Sequence, residues 1–206
     1  MMQEYGTAII VSGPSGVGKS SILRGVTERM SDLRFSVSCT TRPPRGEERN
    51  GVEYHFLSRE DFERRIAADE FVEYAEVFAN YYGTLRDELI APIMSGKNVF
   101  LDIDVQGAMQ IRKACESDEL LRRVCEFVFI VPPSLAVLEQ RLRGRATDSE
   151  EQLALRIGKA RAELAYAAKY DYILVNDDLE YSVPKMLNLI ASFALNAKRW
   201  RLEEIL

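Results

Sequence analysis

The chain has 206 residues, 47% of them hydrophobic and 29% charged, with a formal net charge of −5. That length suits one compact domain with a small inserted lobe, and that charge gives no global attraction to nucleic acid or an anionic membrane. Three cysteines (Cys39, Cys115, Cys125) fit no metal or redox spacing, the single His55 can build neither a zinc site nor a Ser/His/Asp triad, and no leader or membrane-length apolar run is visible, so a cytoplasmic protein is expected.

Residues 7–12 form a short β-branched run, read as a strand buried on both faces. A glycine-rich turn follows, and residues 19–30 carry Ile22, Leu23 and Val26 at helical spacing. Residues 35–39 read as a second strand. The pattern then changes: the Pro43–Pro44 pair excludes helix, and residues 52–57, 71–78 and 81–84 look like short aromatic-rich strands around a helix at 59–68. From residue 86 the alternation of helix and buried strand resumes. Helices are expected at 86–94, 105–115, 135–142, 150–168 and 179–202, and strands at 98–102, 127–131 and 172–175. This rhythm predicts an α/β fold with a parallel sheet covered on both sides. Its parts are a core (1–35, 87–140, 158–206), an inserted lobe (36–86) and a lid (141–157).

The turn after the first strand reads Gly13, Pro14, Ser15, Gly16, Val17, Gly18, Lys19, Ser20. It satisfies G-x-x-x-x-G-K-[ST] at every position and lies between a strand and a helix, as the motif requires. Glycines let backbone N–H groups converge on a phosphate, and the helix N-terminus adds partial positive charge. Lys19 can reach the β- and γ-phosphates and the Ser20 hydroxyl can ligate Mg²⁺. Asp102 ends an apolar strand, as a Walker-B carboxylate would. Arg42 and Arg45 sit in a proline-stiffened loop, where a planar guanidinium fork suits phosphate oxygens. The residues alone leave open whether they are a phosphate clamp or solvated charges.

Taken together, Ser38-Cys-Thr-Thr-Arg42-Pro-Pro-Arg45, Asn50-Gly-Val-Glu-Tyr54-His-Phe56, Glu70-Phe-Val-Glu73, Asn80-Tyr-Tyr82-Gly-Thr84 and Leu101-Asp102-Ile-Asp-Val-Gln-Gly107 resemble guanylate kinase. Later blocks extend the resemblance from about Thr7 to the C-terminus: Pro132-Pro-Ser134, Arg141-Leu-Arg-Gly-Arg145, Ala162-Glu-Leu164 and Val175-Asn176-Asp-Asp178. The resemblance implies a P-loop NTP-binding fold with a parallel sheet core, an inserted GMP-binding lobe and a helical lid. The implied activity is ATP:GMP phosphotransfer, also accepting dGMP, with ATP as donor and Mg²⁺ as metal.

By the same resemblance, Arg42, Arg45, Tyr54 and Tyr82 correspond to the clamp on the GMP phosphate, and Ser38, Glu73 and Thr84 to the guanine readers. Arg141, Arg145 and Arg156 correspond to arginines that gather around the transferring phosphoryl group, and Asn176 to a position near adenine. Asp102 matches an acidic position serving either Mg²⁺ or guanine. The chemistry agrees: one carboxylate, such as Glu73, can accept both N1–H and N2–H of guanine, whereas adenine leaves it unpaired. Read singly, Glu73 could be an exposed strand-end charge and the two tyrosines plain packing aromatics.

Two departures stand out, Gly46-Glu47-Glu48-Arg49 in the clamp loop and Ala146 in the lid, and neither is expected to touch a residue with a chemical role. Two other functions remain open to a chain of this kind. One is a non-catalytic guanylate kinase-like interaction module, the other a related kinase acting on a phosphorylated sugar. The retained Lys19, Ser20 and lid arginines argue against the first, and Glu73 with Ser38 and Thr84 against the second. No nucleic-acid or membrane partner is expected, and a homodimer is admitted without being specified.

Overall fold

A computed structural model describes residues 5–30, 33–144 and 149–200. The chain opens with β1 (Ala8–Ser12), every residue of which is buried. The phosphate loop leads into α1 (Lys19–Thr27), and β2 (Arg34–Phe35) follows at a sheet edge. The single strand expected at 35–39 is divided between two sheets. Phe35 stacks on Phe100 at 5.7 Å and stays with the first sheet, whereas Cys39, in β3 (Cys39–Thr40), is fully buried beside Phe62 and Phe71 in a second, smaller core. The chain must therefore cross from one core to the other over residues 36–38.

The second sheet continues with β4 (His55–Phe56), α2 (Arg59–Ala67), β5 (Phe71–Val77) and β6 (Asn80–Leu85), in strand order β4-β3-β6-β5. Ser58 starts α2 by accepting the Asp61 N–H. The strand expected at 52–57 shrinks to two residues. Gly51, at φ 79°, and the Gly51 N–H to Tyr54 C=O bond close a turn there instead. β5 and β6 form a hairpin whose two turn residues, Phe78 and Ala79, both have positive φ (48° and 63°).

The chain then returns through α3 (Arg86–Met94), β7 (Val99–Asp102), α4 (Val105–Ser117) and α5 (Glu119–Val124) to β8 (Cys125–Val131). α6 (Leu135–Arg143), α7 (Glu150–Leu164), β9 (Tyr172–Val175) and α8 (Leu179–Phe193) complete it. α5 was not expected. Asp118, which accepts the Leu121 N–H, both ends α4 and caps this short helix. The two long helices expected at 150–168 and 179–202 end sooner, each followed by a 3₁₀ turn (Ala167–Lys169 and Ala197–Arg199).

The first sheet is parallel throughout, in order β2-β7-β1-β8-β9. Its alternating side chains build two cores. Ala8 and Ile10 of β1, Val99 and Leu101 of β7, and Phe127 and Phe129 of β8 pack beneath α3, α4 and α5. Ile9, Val11, Phe100, Val128 and Ile130 pack against α1 and α8. Because β1 is central, the loop leaving its carboxyl end emerges between the ends of β7 and β8, the crevice where open α/β sheets bind ligands.

Candidate active site

The phosphate loop holds its shape through two glycines in the left-handed region, Gly16 (φ 85°) and Gly18 (φ 91°). Gly18 also cannot carry a Cβ for want of space, since one would lie 2.4 Å from Asn176 Nδ2. Residues 13–21 line a cavity of about 230 Å³. The loop is braced from behind: the Val17 carbonyl accepts Asn176 Nδ2 at 2.7 Å and Arg141 Nη1 at 3.4 Å. Arg141 also donates to the carbonyls of Asn176 and Asp177, both at 2.9 Å. The structure thus places Arg141 and Asn176 as supports of the loop. From α7, Arg156 reaches the loop itself, its Nη2 lying 3.0 Å from Ser15 Oγ. Arg145, with Ala146, lies outside the described residues.

Lys19 Nζ sits 2.5 Å from Asp102 Oδ1 at the carboxyl end of β7. Asp102 also lines a second cavity of about 280 Å³, together with Ser38, Tyr54, Glu73, Tyr82 and Asp104. One carboxylate therefore joins the phosphate loop to the pocket in the inserted lobe.

Glu73 is the chemical centre of that pocket. It lies on β5 opposite Thr84 of β6, and both are buried. Thr84 Oγ1 donates to Glu73 Oε1 at 2.7 Å. Gly107, in the first turn of α4, approaches so closely that a Cβ there would stand 2.8 Å from Glu73 Oε2. Burial pushes the Glu73 carboxyl up to about 7, the Thr84 hydrogen bond opposes this, and the negative charge of Asp104 adds to it. Asp104 is held in turn as the cap of α4, accepting the N–H groups of Gln106 and Gly107. A buried carboxylate with one oxygen fixed by a hydroxyl donor is built to receive further N–H donors side by side.

Behind Tyr54, which lines the pocket, Arg42 is only 7% exposed. Its guanidinium lies over the Tyr54 ring at 5.4 Å, and Tyr54 and Tyr82 meet edge to face at 6.1 Å. Glu48 takes both Nη groups of Arg42, at 2.9 and 3.0 Å, and accepts the Arg45 N–H at 2.8 Å. The Arg45 side chain is exposed. The expectation that the departure at residues 46–49 touches no chemically active residue is therefore wrong. Glu48 was legible only as a carboxylate three residues beyond Arg45 in a tight turn. Gly107 and Asp104 were also missed, although Asp104 carried a cap signature ahead of a helix.

Fold and site together define a P-loop phosphotransferase with a second pocket beside its inserted lobe. The family model described as guanylate kinase matches residues 5–193. A guanylate kinase from Idiomarina loihiensis is 49% identical over 187 residues, covering 90% of this chain and 86% of that one. Another, from Chlorobaculum tepidum, is 44% identical and covers 92% and 94%. The crystal structure of guanylate kinase from Anaplasma phagocytophilum superposes with a TM-score of 0.73 at 30% identity, covering 98% of this chain and 93% of that one. The chain belongs to the guanylate kinase family, and it is an enzyme, an ATP:GMP phosphotransferase.

Proposed function

We propose that transfer occurs across the junction marked by the Lys19–Asp102 pair, with ATP on the phosphate loop and GMP or dGMP in the lobe cavity. That pair is the observation that carries the reading, because it puts the loop lysine beside a residue lining the acceptor pocket. Glu73 accepts N1–H and N2–H of guanine, with Ser38 beside it and Thr84 fixing its orientation. Arg42, Arg45, Tyr54 and Tyr82 hold the acceptor phosphate. An oxygen of that phosphate attacks the γ-phosphorus in line, and positioning and charge neutralisation supply the catalysis without a protein nucleophile. Lys19 neutralises the transferring group, Arg156 approaches it from α7, Arg145 is assigned the same task by the family resemblance, and Arg141 and Asn176 keep the loop in shape.

The residues also fit Mg²⁺. Ser20 and Asp102 line one cavity, with Asp102 Oδ1 paired to Lys19, and Mg²⁺ is commonly held by one or two protein oxygens together with substrate phosphates. When bound, it would neutralise phosphate charge. We place the enzyme in the cytoplasm, where its three free cysteines would stay reduced, and in purine nucleotide metabolism, to which its GMP acceptor belongs.

A coupled assay with ATP and Mg²⁺ tests the reading by comparing GMP, dGMP, AMP and ribose 5-phosphate. GMP and dGMP should be accepted and AMP rejected by several orders of magnitude, because adenine leaves the buried carboxylate unpaired. Preference for ribose 5-phosphate over GMP, or transfer undiminished by chelation of the metal, would overturn it.

A further inference from the structure

We infer that Glu48 is a positioning residue for the acceptor phosphate, holding one edge of the Arg42 guanidinium so that the other edge is presented to the ligand. The inference rests on the reading of Arg42 as part of the phosphate clamp. A guanidinium has five N–H donors. Arg42 gives Nη1 to the Pro43 carbonyl at 2.8 Å and to Glu48 Oε2 at 2.9 Å, and gives Nη2 to Glu48 Oε1 at 3.0 Å. One hydrogen of each Nη is thus engaged end-on by Glu48, and the second Nη1 hydrogen is taken by the Pro43 carbonyl. The Nε hydrogen and the second Nη2 hydrogen lie side by side on the lateral face, and that fork matches two oxygens of one phosphate.

Glu48 could instead be a stand-in for the phosphate, displaced when the substrate arrives. Two features oppose this. Glu48 grips the end-on face and makes no hydrogen bond to the Nε hydrogen, while the Tyr82 phenol also bonds the guanidinium. It is also anchored within its own turn, accepting the Arg45 N–H at 2.8 Å while its own N–H donates to the Arg45 carbonyl at 3.1 Å. Arg42, by its hydrogen bond, holds the Glu48 carboxyl below the usual carboxylate range, so the pair stays charged through neutral pH. The negative charge of Glu48 opposes a dianionic ligand, and its benefit is orientation: a long side chain is fixed before the ligand binds rather than afterwards. The same turn ties Arg45 to Arg42 through one carboxylate, so the spacing of the two clamp arginines also depends on Glu48.

The test measures binding of GMP and of guanosine, which lacks the phosphate, to the wild type, Glu48→Ala, Glu48→Gln, Arg42→Ala and the Arg42→Ala/Glu48→Ala double variant. Calorimetry supplies the affinities and steady-state kinetics the KM for GMP and ATP. Glu48→Ala should weaken GMP by at least about tenfold, the worth of one charge-assisted contact. KM for GMP should rise more than kcat falls, while guanosine affinity and KM for ATP stay unchanged. Glu48→Gln, which keeps one acceptor oxygen, should fall between Glu48→Ala and the wild type. In the Arg42→Ala background, removing Glu48 should cost less than it does in the wild type, the remainder being its hold on the Arg45 turn. Tighter GMP binding by Glu48→Ala would show the residue to be a displaceable stand-in, and equal losses toward GMP and guanosine would show a merely structural role. Either result overturns the inference. If Arg42→Ala binds GMP as well as the wild type does, the clamp reading itself falls. If only the Glu48 variants are silent, the clamp stands and this inference falls alone.

Discussion

Replacing Glu73 by Gln should make the enzyme more stable above neutral pH while damaging its use of GMP. Burial raises the Glu73 carboxyl from an ordinary value near 4.5 to about 7. The folded state therefore binds a proton more tightly than the unfolded chain does. As pH rises through 4.5 the unfolded chain releases that proton while the fold retains it, and stability falls until the folded group also ionises near 7. The full penalty, on the order of 3 kcal/mol, is present above pH 7 and absent below pH 4.5. The substituted amide would not titrate and would keep the oxygen that accepts from Thr84 Oγ1. For a chain of this size each kcal/mol moves Tm by about 2–4 °C, so the variant should melt roughly 6–12 °C higher at pH 8 and close to the wild type at pH 4.5. Scanning calorimetry across that range tests it. A Tm difference that does not change with pH, or a variant less stable than the wild type at pH 8, would refute the reasoning. In the coupled assay the same variant should lose kcat/KM for GMP with a smaller or opposite change for AMP. Its amide NH₂ would face a guanine donor but could pair with adenine N1.

Lys19→Ala should abolish transfer with the circular dichroism spectrum unchanged, because Lys19 contributes charge at the loop and not core packing; near-wild-type kcat would sink the phosphate-loop assignment. Arg42→Ala should raise the KM for GMP roughly ten- to a hundredfold, from a contact of about 1.5–3 kcal/mol, and Arg45→Ala should raise it less, since Arg42 is buried and Arg45 exposed. Titration with ATP should show neither loss. Gly107→Ala should raise the KM for GMP and spare that for ATP, because the new methyl would stand 2.8 Å from Glu73 Oε2. Phe78→Asn with Ala79→Gly should stabilise the hairpin tip by about 1–2 kcal/mol in thermal melts with kcat unaltered, since Asn-Gly suits two successive positive φ angles.

The parallel core was legible in the sequence because its central strands β1, β7 and β8 are largely buried on both faces and read as apolar runs. β7 and β8 emerged within two residues of their expected bounds, and α3 and β9 matched theirs. The lobe was less legible for a physical reason. Its strands β3 and β4 are two residues long, too short for alternation to register, and they exist because Cys39 is captured by the aromatic cluster of Phe62 and Phe71. α5 was hidden likewise, since its six residues are set by a cap rather than by a periodic face. In the site, Asp104 and Gly107 lay within a block that carried the resemblance, and Asp104 had a cap signature, whereas Glu48, which holds both Nη groups of Arg42, had neither. No local pattern announces such a role; it becomes visible only once the partner's position is known.

The two cations at the junction of loop and lobe show why the orienting residues matter. Lys19 pairs with Asp102 and Arg42 with Glu48, so both cations already have a carboxylate partner in a protein that is acidic overall. The two pairs are not equivalent. An ammonium is a compact point charge whose donors rotate together, so a phosphate that engages Lys19 competes directly with Asp102, and the pair must loosen. A guanidinium has two distinct faces, so Arg42 can keep Glu48 on one while binding phosphate on the other. The loop lysine is thus suited to follow a phosphoryl group that changes position during transfer. The lobe arginine is suited to hold still a phosphate whose oxygen must be aimed. Aiming the nucleophile and following the transferring group are the two tasks in-line transfer sets, and under the proposed reading the residue types at positions 19 and 42 would divide them accordingly.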